Sequence, residues 1–418
     1  MVTKTLVARA LYAGQGMCNT VEIYDEADKL TYLMLIDFGS EKDTANVRLA
    51  TLPRLNKLVT DHGKIDAMVI SHSDADHWKM MNELLDELPA HIQIMRAAIG
   101  VGYWVGAAAT FKSKVEGRLP LGTSIDALPV GKTNIKTNLD HWFSVGDVIF
   151  NILAGSIVLS DVFKDATSTI EANTASLVIR CEYKGKYLVF TGDATWVTLK
   201  FMNDKLKGRT VPNTGFMMTA PHHGAIATSV DNSGTLTDLI KFTTAIQPQC
   251  TLSSAQLRRR FNHPNACAVT TISANVGTGA YSSSPLGTHD CVLNFAATDL
   301  CTTNPLFVKL ASERTGAQDD EWFQVNTQYN IFTNVEALYE VANWYFTINQ
   351  DGTTRVTRSD VTASVAEEFR RMVAQPPTEE FEFFVGTPPP GLGVVPPPTP
   401  TVHVPAPPGP WRRFDDLL

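Results

Sequence analysis

Met68-Val69-Ile70-Ser71 runs straight into His72-Ser73-Asp74-Ala75-Asp76-His77, an apolar strand opening into a turn that carries two imidazoles and two carboxylates within six residues. Asp76 to Leu88 then reads as a helix, so the charged turn lies between a strand and a helix. One acid, Asp74 or Asp76, can be the N-cap of that helix. Capping does not account for a second acid, nor for an imidazole on either side. Divalent metal ions do: neutral imidazoles and carboxylates at one turn can hold one or two ions, which lower the pKa of bound water toward neutrality and polarise the bond to be cut.

The surrounding sequence alternates sheet and helix. Residues 65–70 form the strand that leads into the turn, and residues 47–62 before it read as a helix with apolar positions at Leu49, Leu52, Leu55 and Leu58. Residues 6–11, 20–24 and 32–37 alternate as half-buried strands, with Gly14 and Gly16 in the first turn. A second cycle follows: paired strands at 175–180 and 187–191, a helix over 195–206 and a strand at 215–220. Two such halves predict an α+β fold, a four-layer αββα sandwich in which two sheets pack face to face with helices outside.

Two more potential ligand groups end apolar runs. Tyr187-Leu188-Val189-Phe190-Thr191 leads to Gly192-Asp193, and Gly215-Phe216-Met217-Met218-Thr219-Ala220-Pro221 leads to His222-His223-Gly224. His263-Pro264 follows Leu257-Arg258-Arg259-Arg260-Phe261-Asn262, which sets phosphate-matching guanidinium groups beside an imidazole; a solvated basic face with a capping His fits this run equally well. His62, His91, His141, His289 and His403 have no acidic or His companion at ligand spacing and read as ordinary core or surface residues.

At 418 residues, 44% hydrophobic and 19% charged, the chain can bury a large core, and disorder is not its default state. A net charge of -8 argues against a broad basic surface for long duplex DNA, because non-specific affinity comes from neutralised phosphates, and leaves room for a local basic patch. The six cysteines show no C-x-x-C pair and read as reduced, buried thiols. With no signal-peptide pattern and no stretch of 18 apolar residues, a cytoplasmic chain without membrane association is expected. Beyond a hydrolase-like domain at 1–310, residues 311–375 form an aromatic-rich C-terminal extension with a hairpin turn at Gln350-Asp351-Gly352. Residues 376–418 hold 13 of the 23 prolines, too many to join a sheet or helix, so an extended, disordered tail is expected there. It ends in Trp411-Arg412-Arg413-Phe414, an anchor for a protein partner or a terminal remnant.

The order His-x-Asp-x-Asp-His, Gly-Asp, His-His-Gly resembles the metallo-β-lactamase superfamily, and within it the ComEC-type branch named for the nuclease-like domain of DNA-uptake proteins. Gly14-Gln15-Gly16, Ile36-Asp37-Phe38-Gly39 and His263-Pro264 after Ser253-Ser254 are similar to the same branch, and the likeness spans roughly residues 5 to 270. The resemblance implies that His72 and Asp74 bind one ion, Asp76 and His77 a second, and that Asp193 bridges both. His222 or His223 completes the second site, Asp37 lies just behind the metal turn, and catalytic roles fall to Asp76 and His263. Two departures stand out: Asp74 replaces the second His of the usual motif, and Asn173 stands where a further metal-binding His is usual. An oxygen-rich first site follows, which suits Mn²⁺ or Mg²⁺, or a weakly held second Zn²⁺.

The expected activity is metal-dependent hydrolysis, with a phosphodiester of short or single-stranded nucleic acid, or a nucleotide, as substrate and two divalent ions, Zn²⁺ or Mn²⁺ with Mg²⁺ also compatible, as cofactors. Two alternatives remain at this stage. One is a catalytically weak binding or sensing module that works through a partner on the proline-rich tail. The other is a phosphocholine-type ester hydrolase.

Overall fold

The computed structural model describes residues 3–126 (without 15, 42, 43 and 103), 141–157, 172–206, 214–254 (without 226, 227 and 233), 268, 272 and 343–359. It adds the backbone of short strands at 291–294, 306–311, 320–325, 383–385 and 394–395.

In chain order the strands are β1 (Thr5–Ala10), β2 (Cys18–Tyr24), β3 (Leu30–Phe38), β4 (Ala67–Ile70), β5 (Ala97–Ile99), β6 (His141–Val145), β7 (Val148–Ala154), β8 (Val178–Tyr183), β9 (Lys186–Phe190), β10 (Thr214–Thr219), β11 (Cys250–Ser254), β12 (Cys291–Asn294), β13 (Leu306–Ala311), β14 (Asp320–Val325), β15 (Asn343–Asn349), β16 (Thr354–Ser359), β17 (Phe383–Val385) and β18 (Val394–Val395). The helices are α1 (Thr44–Ala50), α2 (Leu52–His62), α3 (Ala75–Glu87), α4 (Ala107–Gly117), α5 (Trp196–Leu206) and α6 (Thr237–Ile246). One seven-stranded sheet runs β16-β15-β1-β2-β3-β4-β5 and the other β12-β11-β10-β9-β8-β7-β6.

Alternation along the strands builds the layers, because successive side chains point to opposite faces of a sheet. In β3 and β4, Met34, Ile36, Ala67 and Val69 face the other sheet and meet Phe150, Ile179, Leu188 and Phe190. Leu33, Leu35, Met68 and Ile70 face outward, where Leu55 and Val59 of α2, Met81 and Leu84 of α3 and Phe111 of α4 cover them. On the second sheet Val178, Val189 and Met218 face outward beneath Leu199 of α5 and Leu239 and Phe242 of α6. These three clusters are the three interfaces of the expected four-layer αββα sandwich. Among the described residues no helix is long and apolar enough to cross a membrane.

Three features differ from the sequence reading. The helix expected over 47–62 is two helices, α1 and α2, that meet at Thr51. Pro53 is the reason: it has no N–H, and its ring would clash with the Leu49 carbonyl of a continuous helix. The hairpin around Gln350-Asp351-Gly352 forms as expected, but it joins the first sheet, pairing Ala8 with Phe346, so Trp344, Phe346 and Ile348 enter the core between the sheets. Finally, β17 and β18 pair with β13 and β14 in a four-stranded sheet, although this stretch was expected to join none. Both short strands lie between proline groups, where the backbone N–H donors are intact.

Candidate metal centre

The site lies where parallel strands of both sheets end, which is where open sheets with parallel strands place their ligands. The first sheet contributes His72 after β4 and the second contributes Asp193 after β9 and His222-His223 after β10. Asp74 occupies the N-cap position of α3, yet its side chain makes no capping hydrogen bond. The carboxylate turns instead to within 3.5 Å of His72 Nε2 with 49% of the side chain exposed. Asp76 and His77 fall in the first turn of α3, and His77 is fully buried.

Asp193 is the centre of the arrangement. Its Oδ1 lies 3.0 Å from His77 Nε2 and 3.4 Å from His223 Nε2, and its Oδ2 lies 3.3 Å from His222 Nε2 and 3.8 Å from His72 Nε2. Asp76 Oδ2 is 3.5 Å from His223 Nε2. His72, His77 and Asp193 form one group whose ligand atoms lie within 4.8 Å of one another, and Asp76, His77 and His223 form a second. Nε2 of His72 and of His77 and Oδ1 of Asp193 are buried without a hydrogen bond of regular geometry among the described residues. Buried polar atoms rarely go unsatisfied, and lone pairs converging on one point fit a cation.

The electrostatics agree. Burial opposes charge on Asp193, yet His223, His77 and His222 hold its carboxyl well below the usual range. Burial likewise works against Asp76, but the neighbouring His223 and the charge of His77 hold its carboxyl well below the usual range. His77 is pushed well above an ordinary imidazole: burial disfavours its charge, but Asp193 and Asp37 outweigh burial. Burial lowers His222. The two carboxylates thus demand positive charge at the centre, which protons on histidine or a cation can supply.

Backbone strain builds the turn that presents the His pair. His222 (φ 47°), His223 (φ 55°) and Gly224 (φ 81°) are consecutive left-handed residues. Such a conformation costs roughly 1–2 kcal/mol for a residue with a Cβ, and it persists where the surroundings hold it in place. Here it aims two adjacent imidazoles at different oxygens of one carboxylate. The carbonyl of Ser254 accepts from His223 Nδ1, and Thr228 Oγ1 lies 2.7 Å from His222 Nδ1. A carbonyl only accepts, so Nδ1 of His223 carries the proton and its Nε2 lone pair faces the site. Gly39 supports the other side: a Cβ there would lie 2.1 Å from the Asp76 carbonyl carbon, so the Asp37-Phe38-Gly39 segment packs directly beneath the metal turn.

The structure brings His72, Asp76, His77, Asp193, His222 and His223 together, with Asp74 at the rim. Asp37 lies behind the turn as expected, accepting from His77 Nδ1 at 2.9 Å and from the Ser71 amide at 2.7 Å. His263 and the arginine run beside it lie outside the described residues. Asn173 Oδ1 is buried and makes no hydrogen bond of regular geometry among the described residues. His222 and His223 face different oxygens of Asp193. Sequence reasoning missed Ser71, Thr228 and the Ser254 carbonyl, which hold the imidazoles from behind. A lone hydroxyl or a main-chain oxygen leaves no spacing signal.

Two facing mixed sheets, helices on both outer faces and these motifs at the strand ends form one architecture. It is the metallo-β-lactamase fold. No known family description matches the chain, and no curated protein sequence does. Among solved structures it is similar to human tRNase Z, short form, at 13% identity over 59% of this chain and 92% of that one, with a TM-score of 0.34. A diphosphatase of the PhnP family matches at 12% identity over 59% and 87%, TM-score 0.30. A CmlA β-hydroxylase mutant matches at 13% identity over 62% of this chain, TM-score 0.33, and the chain spans 47% of its length. Likeness at this level says nothing about the reaction.

Proposed function

We propose that the chain is a metal-dependent hydrolase that cleaves phosphodiesters, with two divalent ions, Zn²⁺ or Mn²⁺, held on either side of Asp193. The observation that carries this reading is the division of Asp193: one oxygen faces His77 and His223, the other His72 and His222. Asp76 completes the first of these sets and Asp74 the second. Each side thereby offers two nitrogens and two carboxylates. That set is less oxygen-rich than the sequence implied, and it suits zinc as well as manganese. The motif order of ComEC-type nuclease-like domains and the acidic net charge support a short or single-stranded nucleic acid, or a nucleotide, as substrate.

When bound, such an ion pair supplies Lewis acidity that activates water near neutral pH and polarises the phosphoryl group. The chain's residues prepare the rest. His72, His77, His223 and Asp193 close the floor against solvent, with side chains at most 3% exposed. Asp74, Asp76 and His222, 49%, 19% and 16% exposed, form the open rim, so substrate enters over these three side chains. Asp37 and the Ser254 carbonyl keep the protons of His77 and His223 on Nδ1, away from the ligand lone pairs.

The test is metal content followed by hydrolysis of bis-p-nitrophenyl phosphate with Mn²⁺, Mg²⁺ or Zn²⁺. Asp76→Ala and Asp193→Ala are expected to lose at least ~100-fold in rate, since even an outer partner of a ligand acts on a 10–100-fold scale. A wild-type chain inactive with every ion refutes the enzyme reading.

A further inference from the structure

Each imidazole at the centre is held from behind through Nδ1, but the holding groups differ in kind. His77 Nδ1 faces the Asp37 carboxylate at 2.9 Å and His223 Nδ1 faces the Ser254 carbonyl. Both groups only accept, so they leave no choice of tautomer. His72 Nδ1 faces Ser71 Oγ at 3.0 Å, a hydroxyl able to donate or accept. Were Ser71 to donate to it, the proton of a neutral His72 would move to Nε2, against Asp193 and the space for an ion. Ser71 Oγ, however, also lies 2.8 Å from Asp37 Oδ2, which has no proton to give when ionised. The hydroxyl's single proton is committed to the carboxylate, and its lone pairs are left to accept from His72 Nδ1.

We propose that Ser71 is a positioning residue that relays the Asp37 carboxylate to His72, so that one buried acid sets the tautomer of two imidazoles at once. The surroundings fix the relay in place. Ser71 is 1% exposed, its amide donates to Asp37 Oδ1 at 2.7 Å, and its carbonyl accepts from the Leu177 amide at 3.0 Å. The hydroxyl also lies 3.1 Å from His77 Nδ1. Asp37 itself adopts φ 53°, a left-handed conformation that aims both of its oxygens at Ser71. The consequence is an asymmetry between the two sides of Asp193: His77 and His223 are held directly by acceptors, whereas His72 depends on the Ser71 hydroxyl, as His222 does on that of Thr228.

This inference rests on the metal reading above, and its test separates the two. Zinc uptake is measured by titration against a competing chelator in wild type, Ser71→Ala and Ser71→Cys. Imidazole N–H signals are followed by NMR on ¹⁵N-histidine-labelled, zinc-loaded protein. Wild type is expected to take up two zinc ions and to show protected Nδ1–H signals for His72, His77 and His223. Ser71→Ala is expected to keep its fold and the His77 and His223 signals, to lose that of His72, and to bind one of the two ions about 10–100-fold more weakly. Ser71→Cys preserves side-chain volume with a poor acceptor and moves the same way, which guards against a variant that fails to fold. A packing role alone would weaken both ions or neither and spare the His72 signal. Two ions bound at wild-type affinity with the His72 signal intact in both variants overturns the Ser71 assignment. A wild-type chain that takes up no zinc overturns the metal centre instead.

Discussion

Gly192→Ala tests whether the two sheets are held together at the site as described. Gly192 stands at φ +50°, and a Cβ built on it would lie 2.7 Å from Ser71 Cβ, 3.0 Å from Ser71 Oγ and 3.4 Å from Ser176 Cβ. Two penalties add. The left-handed backbone disfavours a residue with a Cβ by about 1–2 kcal/mol. Overpacking against a buried side chain adds about 1–3 kcal/mol. A loss of about 3 kcal/mol is expected, which lowers the melting temperature by roughly 6–12 °C at about 2–4 °C per kcal/mol for a domain of this size. Relief can come only by moving Ser71 away from His72 or the Asp193 loop away from the imidazoles, since Ser176 Oγ accepts from the Asp193 amide at 3.2 Å. Zinc affinity should therefore fall together with stability. Gly63→Ala is the control: Gly63 has φ +85° and nothing within 4 Å of its would-be Cβ, so only the backbone penalty of about 1–2 kcal/mol applies and zinc affinity is untouched. Urea unfolding and zinc titration of both variants decide the matter. Equal losses in the two, or unchanged zinc affinity in Gly192→Ala, would refute the close approach of the sheets at Ser71.

Phe346→Ala should cost about 3–5 kcal/mol, because Phe346 is fully buried between the sheets and packs edge-on to Phe216 at a centroid distance of 6.1 Å; a variant within 1 kcal/mol of wild type in urea unfolding would mean the hairpin is not part of the core. Asp66 gives a pH dependence. Burial would raise its carboxyl, but hydrogen bonds from His62, Lys64 and the Leu33 amide outweigh that and hold it below the ordinary value. A depressed carboxylate stabilises the fold above its unfolded pKa of about 3.9, and this contribution fades as pH falls through the folded value. Asp66→Ala should thus lose about 2 kcal/mol near pH 6, with the gap to wild type narrowing as the solution is acidified below about pH 4; a gap that stays constant there would sink the assignment.

The ligand types were legible in the sequence because metal binding concentrates rare, polar residues at strand ends: His72 to His77, Gly192-Asp193 and His222-His223 each interrupt an apolar run. The sandwich was legible for a related reason, since strand alternation and helical period report which face of each element is buried. Even the break at Thr51 is written locally, in Pro53. What stayed hidden was long-range. That Phe346 completes the first sheet depends on a pairing with Ala8 across more than 330 residues of chain, and nothing in the local pattern of either strand names its partner. Only the folded chain assigned His222 and His223 to different oxygens of Asp193, because the assignment turns on consecutive left-handed residues held by tertiary packing. The same holds for Ser71: a strand-end serine is unremarkable in sequence, and it becomes the link between Asp37 and His72 only when β3 and β4 lie side by side. A sequence records which groups are available, whereas the direction in which a lone pair points is settled by contacts between residues far apart in the chain.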